Sequence, residues 1–343
     1  MKGVQEALFY EKKENGRVAC RLCPRLCAIR QGHTGFCNVR RNVDGVLYAL
    51  NYGKYSSSAL DPMEKKPLYH FYPGSYIFSL GTVGCSLHCG FCQNWEIAHG
   101  DAPTRNMTPQ KAVESAKRYR QQGHSCAGIA YTYSEPFVWY EFVYDTAQLA
   151  RAEGLKNVLV TNGYVNEEPL KQILPYIDAM NIDVKGFTGE YYRSTCAGKL
   201  EPVLRTVEIA YTRCHVELTT LLVTGLNDSP EETGRLVSWV AGLDPEIPLH
   251  FSRYFPHYKM DLPSTPMETL QRAWEIAREK LSYVYIGNAP QLKAESTFCP
   301  QCGLEVIERY AYTIRMPGLD GNKCRRCGHA IRLVGIAGST QND

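Results

Sequence analysis

The sequence predicts an α/β protein built around a partial (β/α)6-type TIM barrel, with a small cysteine-rich module on either side. Between about residues 76 and 288, segments rich in β-branched, leucine and aromatic residues alternate with segments that carry apolar residues at helical spacing. Of the fourteen cysteines, eleven fall into three tight groups, and two of these groups lie outside the alternating region. We therefore expect a core at residues 71–290, between an N-terminal module at 1–70 and a C-terminal module at 291–343.

Seven segments of the core have the composition of buried strands and end at turn-forming or polar residues. They are residues 76–81, 128–132, 157–161, 179–184, 215–223, 249–254 and 283–287. The intervening sequence predicts amphipathic helices at 108–122, 135–153, 201–213, 229–241 and 265–280. Thr108-Pro109 and Thr265-Pro266 each have the pattern of an N-cap followed by proline in the first turn. Such βαβ units predict a parallel sheet whose ligands bind at the carboxyl ends of the strands.

Composition and charge exclude several classes of protein. A net charge of +3 is too small to indicate nucleic-acid or membrane binding by bulk electrostatics. The first sixteen residues contain no apolar stretch suited to a signal peptide, and no apolar run approaches the roughly 20 residues that span a bilayer. We therefore expect a cytoplasmic protein without a membrane partner. In that reducing compartment, clustered cysteines are metal ligands or catalytic groups more often than disulfides.

The central cysteines, Cys85, Cys89 and Cys92, have the spacing C-x3-C-x2-C directly after the first predicted strand. Three thiolates from one loop can hold three irons of a [4Fe–4S] cluster, and the fourth iron then stays open to another ligand. The alternative is a zinc knuckle with a distant fourth ligand such as His88. Zinc sites favour paired C-x2-C units and four closed ligands, so the cluster is the better interpretation.

This loop, with aromatic Phe91 before its third cysteine, resembles the signature of the radical S-adenosylmethionine (SAM) superfamily. Residues 93–96 and 60–70 resemble one subgroup, the radical SAM protein of the AmmeMemoRadiSam system, which is related to pyruvate formate-lyase activating enzymes. The resemblance extends over nearly the whole chain. It implies a radical SAM core in which SAM chelates the open iron. Reductive cleavage then yields methionine and a 5′-deoxyadenosyl radical that abstracts hydrogen.

Polar residues at the predicted strand ends agree with SAM binding. Residues 131–136 resemble the family's Gly-Gly-Glu-Pro segment, although Tyr133 and Ser134 replace both glycines. The pair Asp183 and Lys185 resembles an Asp-x-Lys motif of activating-type enzymes, and residues 223–228 resemble a family loop near the adenine. The expected SAM-binding residues are Ser134, Glu135, Asn162, Asp183, Lys185, Asn227 and His250. Arg253 and His257 are further candidates to face the substrate.

The C-terminal cysteines form two C-x2-C knuckles, with 21 residues between the inner thiols. They are Cys299, Cys302, Cys324 and Cys327. This spacing predicts a structural zinc ribbon that staples a tail too small to fold alone, and a rubredoxin-like iron site uses similar knuckles. Only Lys323, Arg325 and Arg326 form a basic patch there, which argues against nucleic-acid binding.

The N-terminal cysteines have the spacing C-x2-C-x3-C-x9-C and are Cys20, Cys23, Cys27 and Cys37. Four thiols within 18 residues indicate a metal site. Zinc is the conservative interpretation, and an auxiliary iron–sulfur cluster fits the compact spacing as well.

These observations predict an activating-enzyme-like radical SAM enzyme that acts on a small molecule or a protein. The resemblance implies an external electron donor of the flavodoxin or ferredoxin type, and Memo-family and AMMECR-family proteins as partners. One alternative is an activase of a glycyl-radical enzyme. Another is a non-catalytic zinc or iron–sulfur adaptor or electron-transfer protein.

Overall fold

The computed structural model describes residues 4–336, and the outer ends of the two predicted modules, residues 1–3 and 337–343, lie outside the described residues. At its centre is a sheet of eight strands. They are β1 Ser57–Pro62, β2 Tyr76–Gly81, β3 Cys126–Tyr131, β4 Lys156–Thr161, β5 Ala179–Asp183, β6 His215–Leu222, β7 Leu249–Arg253 and β8 Val284–Gly287. The seven predicted strands correspond to β2 through β8.

The order of strands in the sheet follows the chain. Strands β2 to β8 are parallel, each paired with the next, and β1 runs antiparallel to β2 at one edge. Because successive parallel strands are neighbours, right-handed connections keep the helices on one face, and the sheet curves into a barrel. The barrel is partial because β1 and β8 remain its two edges. The predicted fold class is confirmed.

The helices lie between these strands. They are α1 Trp95–His99, α2 Pro109–Gln121, α3 Tyr140–Ala152, α4 Glu167–Ile173, α5 Gly189–Ser194, α6 Glu201–Tyr211, α7 Pro230–Leu243 and α8 Met267–Arg278. Thr108 caps α2 as predicted, since its hydroxyl accepts a hydrogen bond from the Lys111 amide at 3.2 Å. Among residues 4–336, no helix combines the length and the apolar character needed to cross a bilayer.

The prediction that Thr265 caps the last helix is wrong. The N-cap of α8 is Pro266, and the Thr265 side chain is fully buried. Its hydroxyl donates to the Leu222 carbonyl at 2.6 Å and accepts from the Tyr254 amide at 2.8 Å. These two backbone groups lie at the ends of neighbouring strands and would otherwise be buried without partners. The hydroxyl therefore forms hydrogen bonds with the strand ends and does not cap the helix.

The N-terminal region forms two small antiparallel sheets against the barrel. One contains Gln5–Glu6, Arg40–Val43 and Val46–Ala49, and the other contains Tyr10–Lys12, Val18–Cys20 and Ala28–Ile29. A buried ion pair between Arg40 and Glu141, at 2.8 Å, fixes this region to α3. The central sheet includes residues that precede position 71, the predicted start of the core, because β1 pairs with β2 along six residues.

The C-terminal region packs against the amino-terminal ends of the barrel strands. Its strand Glu305–Tyr310 pairs with Thr297–Phe298 and Thr313–Arg315, and a hairpin joins Leu319–Asp320 to Lys323–Cys324. Arg309 donates to the Tyr69 carbonyl at 2.7 Å, and the His70 ring bonds to the Arg332 carbonyl at 2.8 Å. These contacts close the end of the barrel opposite the predicted ligand site.

A buried carboxylate organises this closed end. Glu217 on β6 is fully buried and accepts from the amides of Tyr69 and His70 and from the rings of His215 and His250, at 2.7 to 2.9 Å. Although burial raises the pKa of Glu217, the hydrogen bonds from the two histidines hold it well below its usual range. A satisfied polar cluster thus forms the floor of the barrel.

Candidate active site

A cavity of about 550 Å³ lies at the carboxyl ends of the strands. Most of the residues predicted from the sequence meet there: Cys85, Cys89, Cys92, Ser134, Glu135, Asn162, Asp183 and Lys185 all line its wall. They come from the segments that follow β2, β3, β4 and β5, which the parallel sheet brings to one edge. The structure therefore gathers residues that are about 100 positions apart in sequence.

The cysteine loop is held by its backbone. Gly84 has φ of 93°, and a Cβ at this position would lie 2.7 Å from the Cys37 carbonyl oxygen, so only glycine fits. On the other side, the His88 amide donates to the Cys196 carbonyl at 3.0 Å and the Gly90 amide to the Thr195 carbonyl at 3.1 Å. These bonds fix the direction of the three thiols.

The thiols are poor acids in the absence of a metal. Burial raises the pKa of Cys85 and of Cys92. A hydrogen bond with the buried Cys196 thiol raises the pKa of Cys89. Metal binding must therefore displace protons from all three thiols. Two donors face the sulfur of Cys85, the Leu87 amide at 3.4 Å and the Asn162 side-chain amide at 3.5 Å, and both favour its thiolate form.

The spacing of the sulfurs fits a cluster better than a single ion. Four sulfurs around one zinc at about 2.3 Å lie about 3.8 Å apart. The C-terminal cysteines form a group whose ligand atoms all lie within 4.8 Å of one another, and among the described residues the trio Cys85, Cys89 and Cys92 does not. A [4Fe–4S] cluster, in which each thiolate binds a different iron, requires the sulfurs to lie farther apart than they do around a single ion.

The segment after β3 contains a residue in a backbone conformation that favours glycine, although it contains no glycine. Tyr133 has φ of 69°, in the left-handed region, and its ring packs against Gly81. Its hydroxyl donates to Asp61, and the Ser134 hydroxyl donates to the Thr82 carbonyl at 2.8 Å. The substitution of both glycines is therefore accommodated by side-chain anchors, which bring Ser134 and Glu135 to the cavity.

Glu135 links the ends of β3 and β4. Its Oε1 accepts from the Phe137 amide and the Thr161 hydroxyl, and its Oε2 accepts from the Asn162 amide at 2.9 Å. Burial raises the pKa of this carboxyl to about 7, against the lowering effect of those hydrogen bonds. A carboxylate has room for about four hydrogen bonds, so Oε2 retains capacity for a cationic ligand.

Asp183 and Lys185 form an ion pair of 2.9 Å at the end of β5. Burial lowers the pKa of Lys185, but the negative charge of Asp183 and its hydrogen bond raise it well above its usual range. Lys185 is therefore a cation that faces the cysteine loop, with its ammonium 5.9 Å from the centre of the Phe91 ring. It can meet an anionic group of a ligand in the cavity.

Two lysines that also line the cavity were not identified from the sequence. Lys65 and Lys66, from the segment after β1, line the cavity, and both donate to Asp61, at 2.9 and 2.7 Å. The Lys66 side chain is buried, whereas that of Lys65 is 47% exposed. The two lysines belong to residues 60–70, whose resemblance to the subgroup is visible in the sequence although their place in the fold is not.

Asn227 and His250, which are also expected to bind SAM, are not among the described residues that line the cavity. Asn227 holds its own loop, since its amide donates to the carbonyls of Lys185 and Leu221 at 2.7 and 2.8 Å. His250 points to Glu217 in the barrel floor. Arg253 donates to the Thr265 carbonyl, and the His257 ring contacts the Gln93 carbonyl at the rim.

The C-terminal cysteines are arranged for one ion. Cys299 and Cys327 have their sulfurs 3.6 Å apart, as do Cys302 and Cys324. These separations match the edges of a tetrahedron of thiolates around a single metal ion. The group can therefore hold a metal, which would staple the C-terminal region.

The N-terminal cysteines, Cys20, Cys23, Cys27 and Cys37, surround a separate small cavity. Burial raises the pKa of the Cys37 thiol to about 11 and raises that of Cys23 as well. Neighbouring thiols add to both shifts. The four thiols therefore lie together around one cavity, beside the loop of Cys85.

Comparison with known proteins gives the class to which this site belongs. Residues 79–238 match the Radical SAM superfamily. The chain is 47% identical over 340 residues to an uncharacterized protein of Methanocaldococcus jannaschii, covering 96% of this chain and 100% of that protein. The crystal structure of Streptococcus suis SuiB bound to S-adenosylmethionine shares the fold, with a TM-score of 0.50 at 12% identity, covering 69% of this chain and 57% of that chain. The chain therefore belongs to the radical SAM superfamily.

Within the superfamily, the chain is homologous to activating enzymes. It is 25% identical over 167 residues to the pyruvate formate-lyase-activating enzyme of Clostridium pasteurianum, covering 47% of this chain and 67% of that enzyme. Membership of the superfamily implies a [4Fe–4S] cluster, SAM and an external electron donor, and it identifies the protein as an enzyme of the radical SAM class.

Proposed function

We propose that the protein binds a [4Fe–4S] cluster through Cys85, Cys89 and Cys92 and cleaves SAM to generate a radical that takes hydrogen from a substrate in the same cavity. The observation that carries this proposal is the meeting of three buried thiols, Glu135 and the pair Asp183 and Lys185 in one cavity. When bound, the cluster supplies the electron for cleavage, and its open iron takes the amino and carboxylate groups of SAM.

The polar residues of the cavity suit the charges of SAM. The free acceptor capacity of Glu135 Oε2 can receive an N–H of the SAM amino group, and Lys185 can face the carboxylate. Asn162 holds both Cys85 and Glu135, so it positions the cluster ligand relative to the cofactor pocket. The segment after β3 thereby couples SAM binding to the cysteine loop.

The substrate would occupy the part of the cavity formed by Lys65, Lys66 and the outer residues of β6 and β7. Thr219, Leu221 and Ser252 line this part. Its two lysines favour a substrate with an anionic group. Homology to a pyruvate formate-lyase-activating enzyme supports a glycyl-radical protein as a second candidate substrate.

The remaining assignments belong to the same proposal. We assign a structural zinc ion to the C-terminal thiols, because their 3.6 Å separations suit a closed tetrahedral site. We further propose a cytoplasmic enzyme of the AmmeMemoRadiSam system, with a flavodoxin or ferredoxin as electron donor and Memo-family and AMMECR-family proteins as partners. The resemblance of residues 60–70 and 93–96 supports this grouping.

The test is the formation of 5′-deoxyadenosine by anaerobically reconstituted protein supplied with SAM and dithionite. We expect the nucleoside from the native chain and a loss of at least about 100-fold in Cys89→Ala, because that variant lacks a cluster ligand. Cys214→Ser is the matched control, since Cys214 lies outside the cavity wall. A native protein that carries its full cluster and yields no 5′-deoxyadenosine would refute the proposal.

A further inference from the structure

We infer that Cys20, Cys23, Cys27 and Cys37 bind a second iron–sulfur cluster, and not a single zinc ion, in a small cavity against the loop that carries Cys85. All four cysteines line this cavity together with Arg25, Arg40 and Ser86. The inference concerns a site separate from the SAM cavity, and it holds or fails independently of SAM cleavage.

The first argument is the spacing of the sulfurs. The C-terminal cysteines of the same chain show the sulfur–sulfur distances of a site for one metal ion. The sulfurs of Cys299 and Cys302 each lie 3.6 Å from a partner sulfur. Within the part of the chain that the structure describes, the N-terminal four do not form a group with all ligand atoms within 4.8 Å. Thiolates that each bind a different iron of a cluster require the wider arrangement.

The second argument is a buried donor that lacks an acceptor. The Arg40 side chain is 1% exposed and lines the cavity. Its NH2 group donates to both oxygens of Glu141, at 2.8 and 2.9 Å, and its NH1 group donates to the Leu8 carbonyl at 3.4 Å. Within residues 4–336, its Nε has no hydrogen-bond partner. A cluster sulfur is an acceptor that would satisfy this N–H group.

The third argument is the wall of the cavity. Apart from the cysteines, the two arginines and Ser86, it consists of small or apolar residues: Leu22, Ile29, Gly35, Phe36 and Val138. Such a wall surrounds the thiols largely with apolar side chains. Iron–sulfur clusters are commonly bound in settings of this kind, where burial and N–H···S hydrogen bonds set the reduction potential.

The cavity is also in direct contact with the SAM-cluster loop. The Cys37 carbonyl packs against Gly84, one residue before Cys85. Arg25 lies with its guanidinium 3.7 Å from the centre of the Phe36 ring and donates to the Ser86 carbonyl at 3.0 Å. It also donates to the Ala197 carbonyl, next to Cys196. The second cluster would thus be rigidly placed beside the first.

The decisive experiment removes the first cluster and asks whether inorganic sulfide remains. The full chain carrying Cys85→Ala, Cys89→Ala and Cys92→Ala is reconstituted anaerobically with iron and sulfide, and its iron, zinc and acid-labile sulfide are counted. We expect about two to four sulfides per chain, and we expect them to be lost when Cys27→Ser and Cys37→Ser are added. Zinc at about two equivalents per chain with no sulfide would overturn the inference.

Two further measurements keep the test decisive if that variant does not fold. With the three loop cysteines intact, Cys27→Ser with Cys37→Ser should lower the sulfide content by about one half, and an unchanged content would overturn the inference. Arg40→Lys keeps a cation for Glu141 but removes the Nε donor. In the chain without the first cluster, it should therefore lower the reduction potential of the second, and an unchanged potential would refute the role given to Arg40.

Discussion

Tyr133 is a single residue whose unusual backbone conformation is held by its side chain. A non-glycine residue in the left-handed region costs on the order of 1 to 3 kcal/mol. Here the conformation, with φ of 69°, is retained by the packing of the ring on Gly81 and by the hydrogen bond from its hydroxyl to Asp61. Asp61 in turn holds Lys65 and Lys66, so one carboxylate connects Tyr133 to the two lysines of the cavity wall.

Lys65 and Lys66 provide a matched pair for testing this network. Both contact Asp61, but the Lys66 side chain is 2% exposed and that of Lys65 is 47% exposed. Burial lowers the pKa of Lys66 to about 8, against the effect of Asp61. We expect Lys66→Met to destabilise the protein by about 3 kcal/mol, because it leaves a buried carboxylate poorly paired, and Lys65→Met by less than about 1 kcal/mol.

Thermal or denaturant unfolding at equal metal content measures this difference. Equal losses of stability in the two lysine variants would show that the burial of Lys66 does not matter. The same variants report on substrate binding once a substrate is available, since both lysines line the cavity.

Glu135 predicts a pH dependence of SAM binding. Its pKa is raised to about 7, so its charge is present above that pH and is lost as the pH falls. Between pH 7 and pH 6 the ionised fraction falls from about one half to about one tenth, so we expect SAM affinity to decrease about five-fold. Equilibrium binding to the reconstituted protein measures this effect. Glu135→Gln should remove the decrease, and a decrease that persists in that variant would assign it to another group.

At the scale of elements, the sequence predicted β2 to β8 because buried parallel strands are runs of apolar residues between turn signals. It did not identify β1, Ser57–Pro62, which contains Asp61 and ends in proline and therefore lacks the composition of a strand. Residues at strand ends were placed at the cavity by the barrel rule. His250 is the second residue both of the predicted strand 249–254 and of β7, so it lies at the end of the strand opposite the cavity.

Contacts between distant loops could also not be predicted from the sequence. Cys196 lies outside the three cysteine groups of the sequence, and only the folded chain brings its thiol to Cys89. The same holds for Arg25, which joins the N-terminal site to Ser86. No periodicity or spacing in the sequence reports such pairs.

The short strands of the C-terminal region lead to a prediction about its stability. Because its strands are two to six residues long, the metal should supply much of its stability. We expect Cys299→Ser to lose about one metal ion per chain and to expose the region to proteolysis, while iron at Cys85, Cys89 and Cys92 is retained. Metal analysis combined with limited proteolysis measures this outcome. An intact region with unchanged metal content would contradict the assignment.

In the whole molecule, three cysteine centres have different positions around one barrel. The N-terminal centre lies against the SAM-cluster loop at the open end, and the C-terminal centre closes the opposite end through Tyr69, His70 and the Glu217 cluster. Among the described residues, three of the eleven clustered cysteines line the large cavity, and the other eight lie in these two flanking centres.

The central claim is that Cys85, Cys89 and Cys92 leave one iron free to bind SAM. The most direct measurement is the electron paramagnetic resonance spectrum of the reduced cluster, recorded with and without SAM in the Cys27→Ser, Cys37→Ser chain. Because SAM would coordinate the open iron, we predict that its addition changes the g values of the signal. A reduced [4Fe–4S] signal that saturating SAM leaves unchanged would contradict the account.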